Sequence, residues 1–598
     1  MDSEELTQGL SQPSRDPEQE DDADQNDMSL LNFRLEDTPG TNEPVDIPNY
    51  PIKAITQVDE HGNEYTDHAP EIDFRALEST LTKTDILTHA IHKHPAIFIP
   101  QIPRHIIRTY TTELNAEGKR PVVMDPFNGS GTTGVESKIA GRDYLGVEIN
   151  PLSKLVSEVA TTPIPYNVLK NVRSDIIDRL DECPTEYYED YDVEFLDQTG
   201  KHHWFEDQAI DGLTTIRKVI TEYLRSDHDW QRGLEVRERK AISDLGLTDE
   251  DLNERVSRWL VLMIANTVFE VSNADPGVSK AHKSKRMREK IDNGEHPPDA
   301  ITEYKKHLKK SEARLIDLWN EVYRTNAPGG TDDRTTVVVN DAENSTLHRF
   351  SNEWVELEEN NAHQATTDIK LADARSFSFP KYKNGVDLAI TSPPYINAMN
   401  YFRGTKLRIF WIHDLIEEIT NLDATKLRKS IIGTNSVSIS DVDRELPVLL
   451  RDEWKGTEAE YDATSLPMLD THIEEIHGGD LTEATSRAYT TWKFFAEDML
   501  KSLTRVYEHL KPGGLFFFIV GENTISGRRI QNHRFIADIA QNLGKFKTQD
   551  GHLQEDEGYN LVEMGWDKIT NRDLFQGRSH GYGVIEHEWV VILQKPGE

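Results

Sequence analysis

A chain of 598 residues is longer than one ordinary core needs, so two or more domains are expected. Its 67 basic and 105 acidic side chains leave a formal charge of −38, which argues against nonspecific nucleic-acid binding by the whole surface but allows a local basic groove. Hydrophobic residues make up 36%, and no apolar run approaches the roughly 18 residues of a membrane span.

Residues 1–70 are acidic and polar, as in SRDPEQEDDADQND, and read as a disordered tail. The opening MDSEELTQGL has neither a basic start nor an apolar core, so no secretory signal and a cytoplasmic location are expected. The acid excess would also suit a high-salt cytoplasm with an acidic proteome. From residue 71 to 160 the pattern turns α/β. A short helix at 84–92, an extended HKHPAIFIPQIP and a helix near 104–115 precede the strand RPVVMD, the turn PFNGSGTTG, a helix through VESKIAG and the strand DYLGVEIN. Strand, glycine turn, helix and strand open a doubly wound sheet.

Residues 161–365 show apolar side chains at three- and four-residue spacing and read as a mainly helical insertion. Alternation returns from 366 to 598, with strands at DIKLADAR and GVDLAITS, a helix around 404–420 and a loop-rich acidic stretch at 425–485. A long helix near 487–510 stops at Lys511-Pro512-Gly513-Gly514, and LFFFIV and HEWVVILQK follow as strands.

Cys183 is the only cysteine, which excludes an internal disulfide and a cysteine zinc site. Its neighbours Glu182 and Pro184 do not make it an activated nucleophile. His92, His94, His202 and His203 lack carboxylates at ligand spacing, so no metal is expected.

In VVMDPFNGSGTT, Asp125 ends a strand, while Gly129 and Gly131 let backbone approach a ligand at the next helix start. A phosphate loop needs Lys before Ser/Thr, but Thr132 and Thr133 follow Gly131 directly. The spacing of Gly129, Gly131 and Gly134 also fits a dinucleotide fingerprint. A carboxylate there repels a pyrophosphate and favours a sulfonium cofactor, adenosyl-methionine. Asp125 could then meet its ammonium, and Glu148 could accept from its ribose hydroxyls.

The run LAITSPPYINAMNY breaks at Ser392-Pro393-Pro394-Tyr395. Two prolines cannot donate to a ladder and stiffen the backbone, so this is either a strand terminator or a pocket made of carbonyl oxygens.

Together, DPFNGSGTT (125–133) and TSPPY (391–395) resemble the cofactor and catalytic motifs of the DNA amino-methyltransferases. The resemblance implies a Rossmann-like class I methyltransferase sheet, S-adenosyl-L-methionine as cofactor, double-stranded DNA as partner and, in a restriction-modification setting, a cognate nuclease. It assigns Phe98, Asp125, Pro126, Phe127, Gly129, Ser130, Gly131, Thr132, Thr133, Glu148, Ile149, Asn150, Asp373 and Ala374 to the cofactor, with Asp373 facing its adenine. It assigns Ser392, Pro393, Pro394 and Tyr395 to catalysis. The serine variant is typical of cytosine-N4 members; adenine N6 and base methylation of RNA are the alternatives. On this reading the Ser392 hydroxyl and Pro393 carbonyl accept from the target amine, and Tyr395 stacks on a flipped-out base. Asn397, Asn400 and Tyr401 could line the base pocket, and GEN (521–523) could close the site or be a plain turn.

The family's order of motifs places a recognition region between them, and here the insertion falls before Asp373. Either 161–365 or 425–485 could read the DNA. Within the first, SKAHKSKRMREK holds Lys280, Lys283, Lys285, Arg286, Arg288 and Lys290, which suit phosphate contact or a solvated helix face.

Overall fold

The protein is a computed structural model, which describes residues 48–58, 64–92, 99–183, 200–275, 282–323, 364–396, 401–433, 482–545, 557–569 and 587–597, less isolated positions such as Tyr395. The disordered tail expected over 1–70 is corrected over its last part, while residues 1–47 lie outside the described residues. Ile52–Val58 (β1) and Glu64–Pro70 (β2) pair as an antiparallel hairpin, with Ile52 opposite Pro70 and Val58 opposite Glu64. Among the described side chains of these polar strands Ile55 and Ala69 are the buried ones, a pattern too sparse to mark a strand. Trp566 holds the hairpin, its indole donating to the Ala69 carbonyl at 3.1 Å.

A seven-stranded sheet carries the molecule, with strands Val122–Asp125 (β3), Asp143–Glu148 (β4), Thr367–Leu371 (β5), Val386–Thr391 (β6), Leu510–Gly521 (β7), Asn560–Lys568 (β10) and His587–Gln594 (β11). A separate small hairpin joins Asn523–Ile525 (β8) to Arg528–Ile530 (β9). The spatial order is β10-β11-β7-β6-β3-β4-β5. Strands β5, β4, β3, β6 and β7 run parallel, and β11 is antiparallel to both its neighbours. The chain leaves β3 towards one edge and returns on its other side at β6, so the order reverses between β3 and β6. Ligands of open α/β sheets bind at such a reversal, at the carboxyl ends of the strands.

The central strands bury both faces. Along β7, Phe516, Phe518 and Val520 face one core while Leu515, Phe517 and Ile519 face the other, the two-residue period of a strand. β10, NLVEMGWDK, goes beyond the strands expected from sequence; its burial does not alternate, with four successive residues half-buried and the next three buried. The Lys511–Gly514 turn signal lies inside β7. The helix before it does stop at His509, but the chain then enters the sheet, and its register against β6 slips between Val386 and Leu388.

The helices before β5 are Phe74–Leu77 (α1), Gln101–Tyr110 (α2), Thr132–Ile139 (α3), Pro151–Thr161 (α4), Tyr166–Glu182 (α5), Lys201–Trp204 (α6), Asp207–Arg225 (α7), Val236–Asp244 (α8), Asp249–Val271 (α9), Lys285–Asp292 (α10) and Ala300–Val322 (α11). In α7 the buried Ala209, Leu213, Ile216 and Ile220 mark one helical face. A capping box between Thr248 and Asp251 starts α9, and the Asp299 side chain caps α11. Their apolar faces share one core with Val135 of α3 and Leu152, Leu155 and Val159 of α4. The helical layer is therefore continuous with the helices that follow the glycine turn.

Beyond β6 come Tyr401–Ile412 (α12), Glu417–Thr420 (α13), Thr482–Trp492 (α14), Leu500–His509 (α15) and Asn532–Gln541 (α16). Between α14 and α15 the backbone widens into a π-helix over Lys493–Met499, a form frequent near functional sites. Among the described residues no helix is long and apolar enough to cross a membrane.

Candidate functional site at the strand ends

Asp125 closes β3 and is 1% exposed. Its Oδ1 accepts from the Thr391 hydroxyl at 2.6 Å and from the Phe127 backbone N–H at 3.0 Å, and its Oδ2 accepts from the Thr133 hydroxyl at 2.8 Å. Burial pushes the carboxyl up to about 6, against the downward pull of these three donors. Glu148 closes β4, its Oε2 accepting from Gly129 N–H at 2.8 Å and its Oε1 from Asn150 N–H at 2.7 Å. Burial pushes it up to about 7; the backbone N–H groups of Asn150, Gly129 and Ile149 lower it and the negative Asp125 adds to the rise.

The loop between them is set by close packing. Gly131 has φ 85°, and a Cβ there would sit 2.3 Å from the Ser157 hydroxyl of α4, so only glycine fits. Asn128, a loop residue without an assigned role in the sequence, accepts from the Tyr144 hydroxyl at 2.6 Å and the Ser157 hydroxyl at 3.1 Å. Pro126, Thr132 and Thr133 are buried, and Phe127, Ser130 and Ile149 are half-buried. Asn150 caps α4 through Leu152 N–H and donates to Thr405 of α12 at 3.2 Å.

The proline turn leaves β6 directly beside this loop, with Ser392 and Pro394 half-buried and Pro393 buried. At the far end of the turn, the Ile396 carbonyl accepts from the Asn523 amide at 2.7 Å. Thr391, Asn523 and Thr405 thus join segments distant in sequence; the first two lie in the TSPPY and GEN motifs, but no local pattern shows their partners, and none singles out Thr405. Tyr395, Asn397, Asn400 and Phe98 lie outside the described residues, as does the side chain of Tyr401.

Asp373 follows β5, and its backbone neighbour Ala372 donates to the Glu148 carbonyl at 2.9 Å. Both Asp373 oxygens are taken by the Arg375 guanidinium, at 2.9 and 2.5 Å, and Arg375 also reaches Asp498 of the π-helix at 2.7 Å. Ala374 beside it is buried.

The glycine loop with its acid therefore stands next to the proline turn at the sheet's reversal point. A DNA methylase family model matches residues 44–156. The chain is similar to the Type II methyltransferase M.MvaI of Kocuria varians, 28% identical over 288 residues, covering 46% of this chain and 59% of that protein. The resemblance is to the DNA amino-methyltransferases. A second relative, the Type II methyltransferase M.MjaII of Methanocaldococcus jannaschii, is 27% identical over 110 residues, covering 18% of this chain and 20% of that protein. The matched part thus spans less than two thirds of either relative's length. No solved structure matches the chain.

Away from this amino-methyltransferase-like site, the basic stretch is largely committed to partners. Lys283 faces Glu206 at 3.6 Å, Arg286 pairs with Asp275 at 3.0 Å, and Lys285 lies 3.8 Å from Glu289 one turn on. Arg288 donates to the Lys283 carbonyl at 3.2 Å. Lys285, Arg286, Arg288 and Lys290 are exposed, and Lys280 lies outside the described residues. Buried His92 bonds Asn266 at 2.5 Å and exposed His202 faces Asp207 at 3.2 Å. Cys183 is half-buried at the end of α5.

Proposed function

We propose that the protein moves a methyl group from S-adenosyl-L-methionine to the exocyclic N4 of cytosine in DNA, on a Rossmann-like class I methyltransferase sheet. The observation that carries this reading is the 2.6 Å hydrogen bond from Thr391 to Asp125, which joins the proline turn to the acid of the glycine loop. The donor set fits the cofactor. Buried Asp125 and half-buried Glu148 sit at adjacent strand ends, and among the described residues neither forms an ion pair with a lysine or arginine. An ammonium group suits Asp125, and ribose hydroxyls suit Glu148. When bound, the cofactor supplies an electrophilic methyl group on sulfur.

Every other part of the chemistry falls to the chain. A base amine is a weak nucleophile because its lone pair is shared with the ring. The Ser392 hydroxyl and Pro393 carbonyl accept from it and orient its nitrogen towards the methyl, so proximity and preorganised acceptors replace a strong base. The target base must leave the duplex to reach this turn, and Tyr395 is placed in sequence to stack on it. The described surroundings of Asp373 give it a partner in Arg375, so an adenine at that acid would share it with the guanidinium. The helical layer that carries α10 is our candidate for the DNA-recognition region.

Transfer of a tritiated methyl group to DNA and to RNA, followed by nucleoside analysis, tests the proposal. N4-methylcytosine in DNA is the expected product. N6-methyladenine would move the substrate assignment within the family, label in RNA alone would change the polymer, and no transfer would overturn the reading.

A further inference from the structure

Pro393 and Pro394 offer no N–H, and among the described residues hydrogen bonds hold the proline turn at its two ends. Those ends are held by different chemistry. Upstream, Thr391 is 0% exposed and sits in the parallel part of the sheet, where its β-branched side chain has few rotamers. Its hydroxyl donates to Asp125. Downstream, the carbonyl of buried Ile396 is held by the Asn523 amide.

Asn523 is itself oriented. Its Oδ1 accepts from the buried Asn532 side chain at 3.1 Å, and that same amide nitrogen donates to the Gly521 carbonyl at 2.7 Å. The Asn523 nitrogen is therefore the end turned towards Ile396. The adjoining Glu522 is gripped by Arg529 at 2.5 and 2.9 Å, and Arg529 is anchored to Asp67 of β2 at 2.8 Å. The downstream end thus rests on a braced ridge that reaches the β1–β2 hairpin.

We propose that Thr391 and Asn523 are positioning residues that clamp the Ser392-Pro393-Pro394 turn from its two ends, the first in response to the cofactor's charge and the second independently of it. This rests on the methyl-transfer reading above. A hydroxyl donates more strongly to an ionised carboxylate than to a neutral one. A cation at Asp125 keeps that acid ionised and so tightens the Thr391 end when the cofactor is in place. The Asn523 end is an amide on a carbonyl, both neutral, and carries no such dependence. Acceptors for a reacting amine need placement to within about 0.5 Å, so loosening either end costs rate.

The test separates the two ends. Thr391→Val keeps the shape and removes the donor; Thr391→Ser restores it. Asn523→Asp keeps the shape, still accepts from Asn532, and cannot donate to Ile396. Losing one such bond should lower kcat about tenfold in Thr391→Val and in Asn523→Asp. Calorimetric titration of S-adenosyl-L-methionine, without DNA, should show weaker binding and a changed pH profile only for Thr391→Val, with Thr391→Ser close to the parent. Unchanged kcat in Asn523→Asp overturns the downstream clamp. Equal loss of cofactor binding in both variants, or unfolding of Asn523→Asp in a thermal melt, assigns the contact to the fold and overturns the proposal too. If the parent enzyme transfers no methyl group, the functional reading fails first, and the clamp's rate claim falls with it. An unchanged cofactor pH profile in Thr391→Val then also removes the charge link.

Discussion

Two glutamates in one strand-helix-strand unit, one buried and one half-buried, have opposite surroundings. Glu136, in α3, is 2% exposed and accepts from Arg104 at 2.7 and 2.9 Å and from His89 at 2.8 Å. Burial alone would push its carboxyl up, yet Arg104 and His89 pull it down to about 2. Glu148, at the end of β4, meets backbone N–H groups and the acid Asp125, and burial carries it up to about 7. A buried acid with its own cation holds a fold together. A half-buried acid held only by neutral donors has no counter-charge of its own and keeps acceptor capacity for a ligand's donors. The difference separates scaffold from site in a stretch where both residues are glutamate.

The sharpest way to break this comparison is to remove a charge from each side. Asp125→Asn should weaken S-adenosyl-L-methionine binding about a hundredfold, as expected when a charged partner is removed, and methyl transfer should fall with it. Its thermal unfolding midpoint should stay near that of the parent, because the charge it removes is one that burial already disfavours. Calorimetry and a melting curve read the two effects. Glu136→Gln should do the reverse. It leaves Arg104 buried without its counter-charge and should cost about 3 kcal/mol of stability, measured by urea unfolding, while cofactor affinity in the folded protein stays close to the parent's. If Glu136→Gln lost the cofactor and kept its stability, the division into scaffold and site would be wrong.

The glycine loop was legible because its chemistry is local. Glycines at fixed spacing beside an acid need no knowledge of the rest of the chain, and Gly131 does lie where a Cβ would strike Ser157. The helical stretch was legible too, because α7 and α11 each keep an apolar face at helical spacing, while α9 is long and buried on all sides over residues 259–268. What stayed hidden was pairing between distant segments. Thr391 meets Asp125 only because β6 returns beside β3, and Asn523 meets Ile396 across the end of β7. The β1–β2 hairpin escaped notice because its strands expose polar side chains, and it is held by Trp566 and Arg529 near the other end of the chain. The grip of Arg375 on both Asp373 and Asp498 depends on a π-helix, for which sequence periodicity gives no signal.

Acidity offers a subtler test, with the two glutamates moving in opposite directions. Glu136 has a folded-state value below its unfolded one, so its contribution to stability is present above about pH 4.5 and is lost as the pH falls towards 2. Asp125 and Glu148 have raised folded-state values. They favour the folded state below about pH 4, and that contribution is lost as the pH rises through 6 and 7. Cofactor binding needs both acids ionised and so has the opposite sign. Affinity for S-adenosyl-L-methionine should fall as the pH drops from 8 to 5.5, by up to about tenfold per pH unit for each acid once it is protonated. Titrations at three pH values would show this, and Glu148→Gln should remove the upper part of the dependence. A flat profile in the parent would mean that the two acids do not face the cofactor.

The smallest expected effect concerns α10, and the structure alters which residues should be changed there. Lys283 and Arg286 face Glu206 and Asp275, so neutralising them would disturb internal pairs as well as any phosphate contact. Lys285, Arg288 and Lys290 are exposed, and surface pairs such as Lys285 with Glu289 contribute about 1 kcal/mol or less. Converting these three to glutamine should leave methyl transfer at low salt nearly unchanged. The slope of log binding constant against log salt should flatten by about one unit for each DNA phosphate that the variant no longer neutralises. A slope equal to the parent's would make α10 a solvated face. A flattened slope would place the backbone of the DNA along the helical layer, on the side of the molecule whose core runs without a break into α3 and α4.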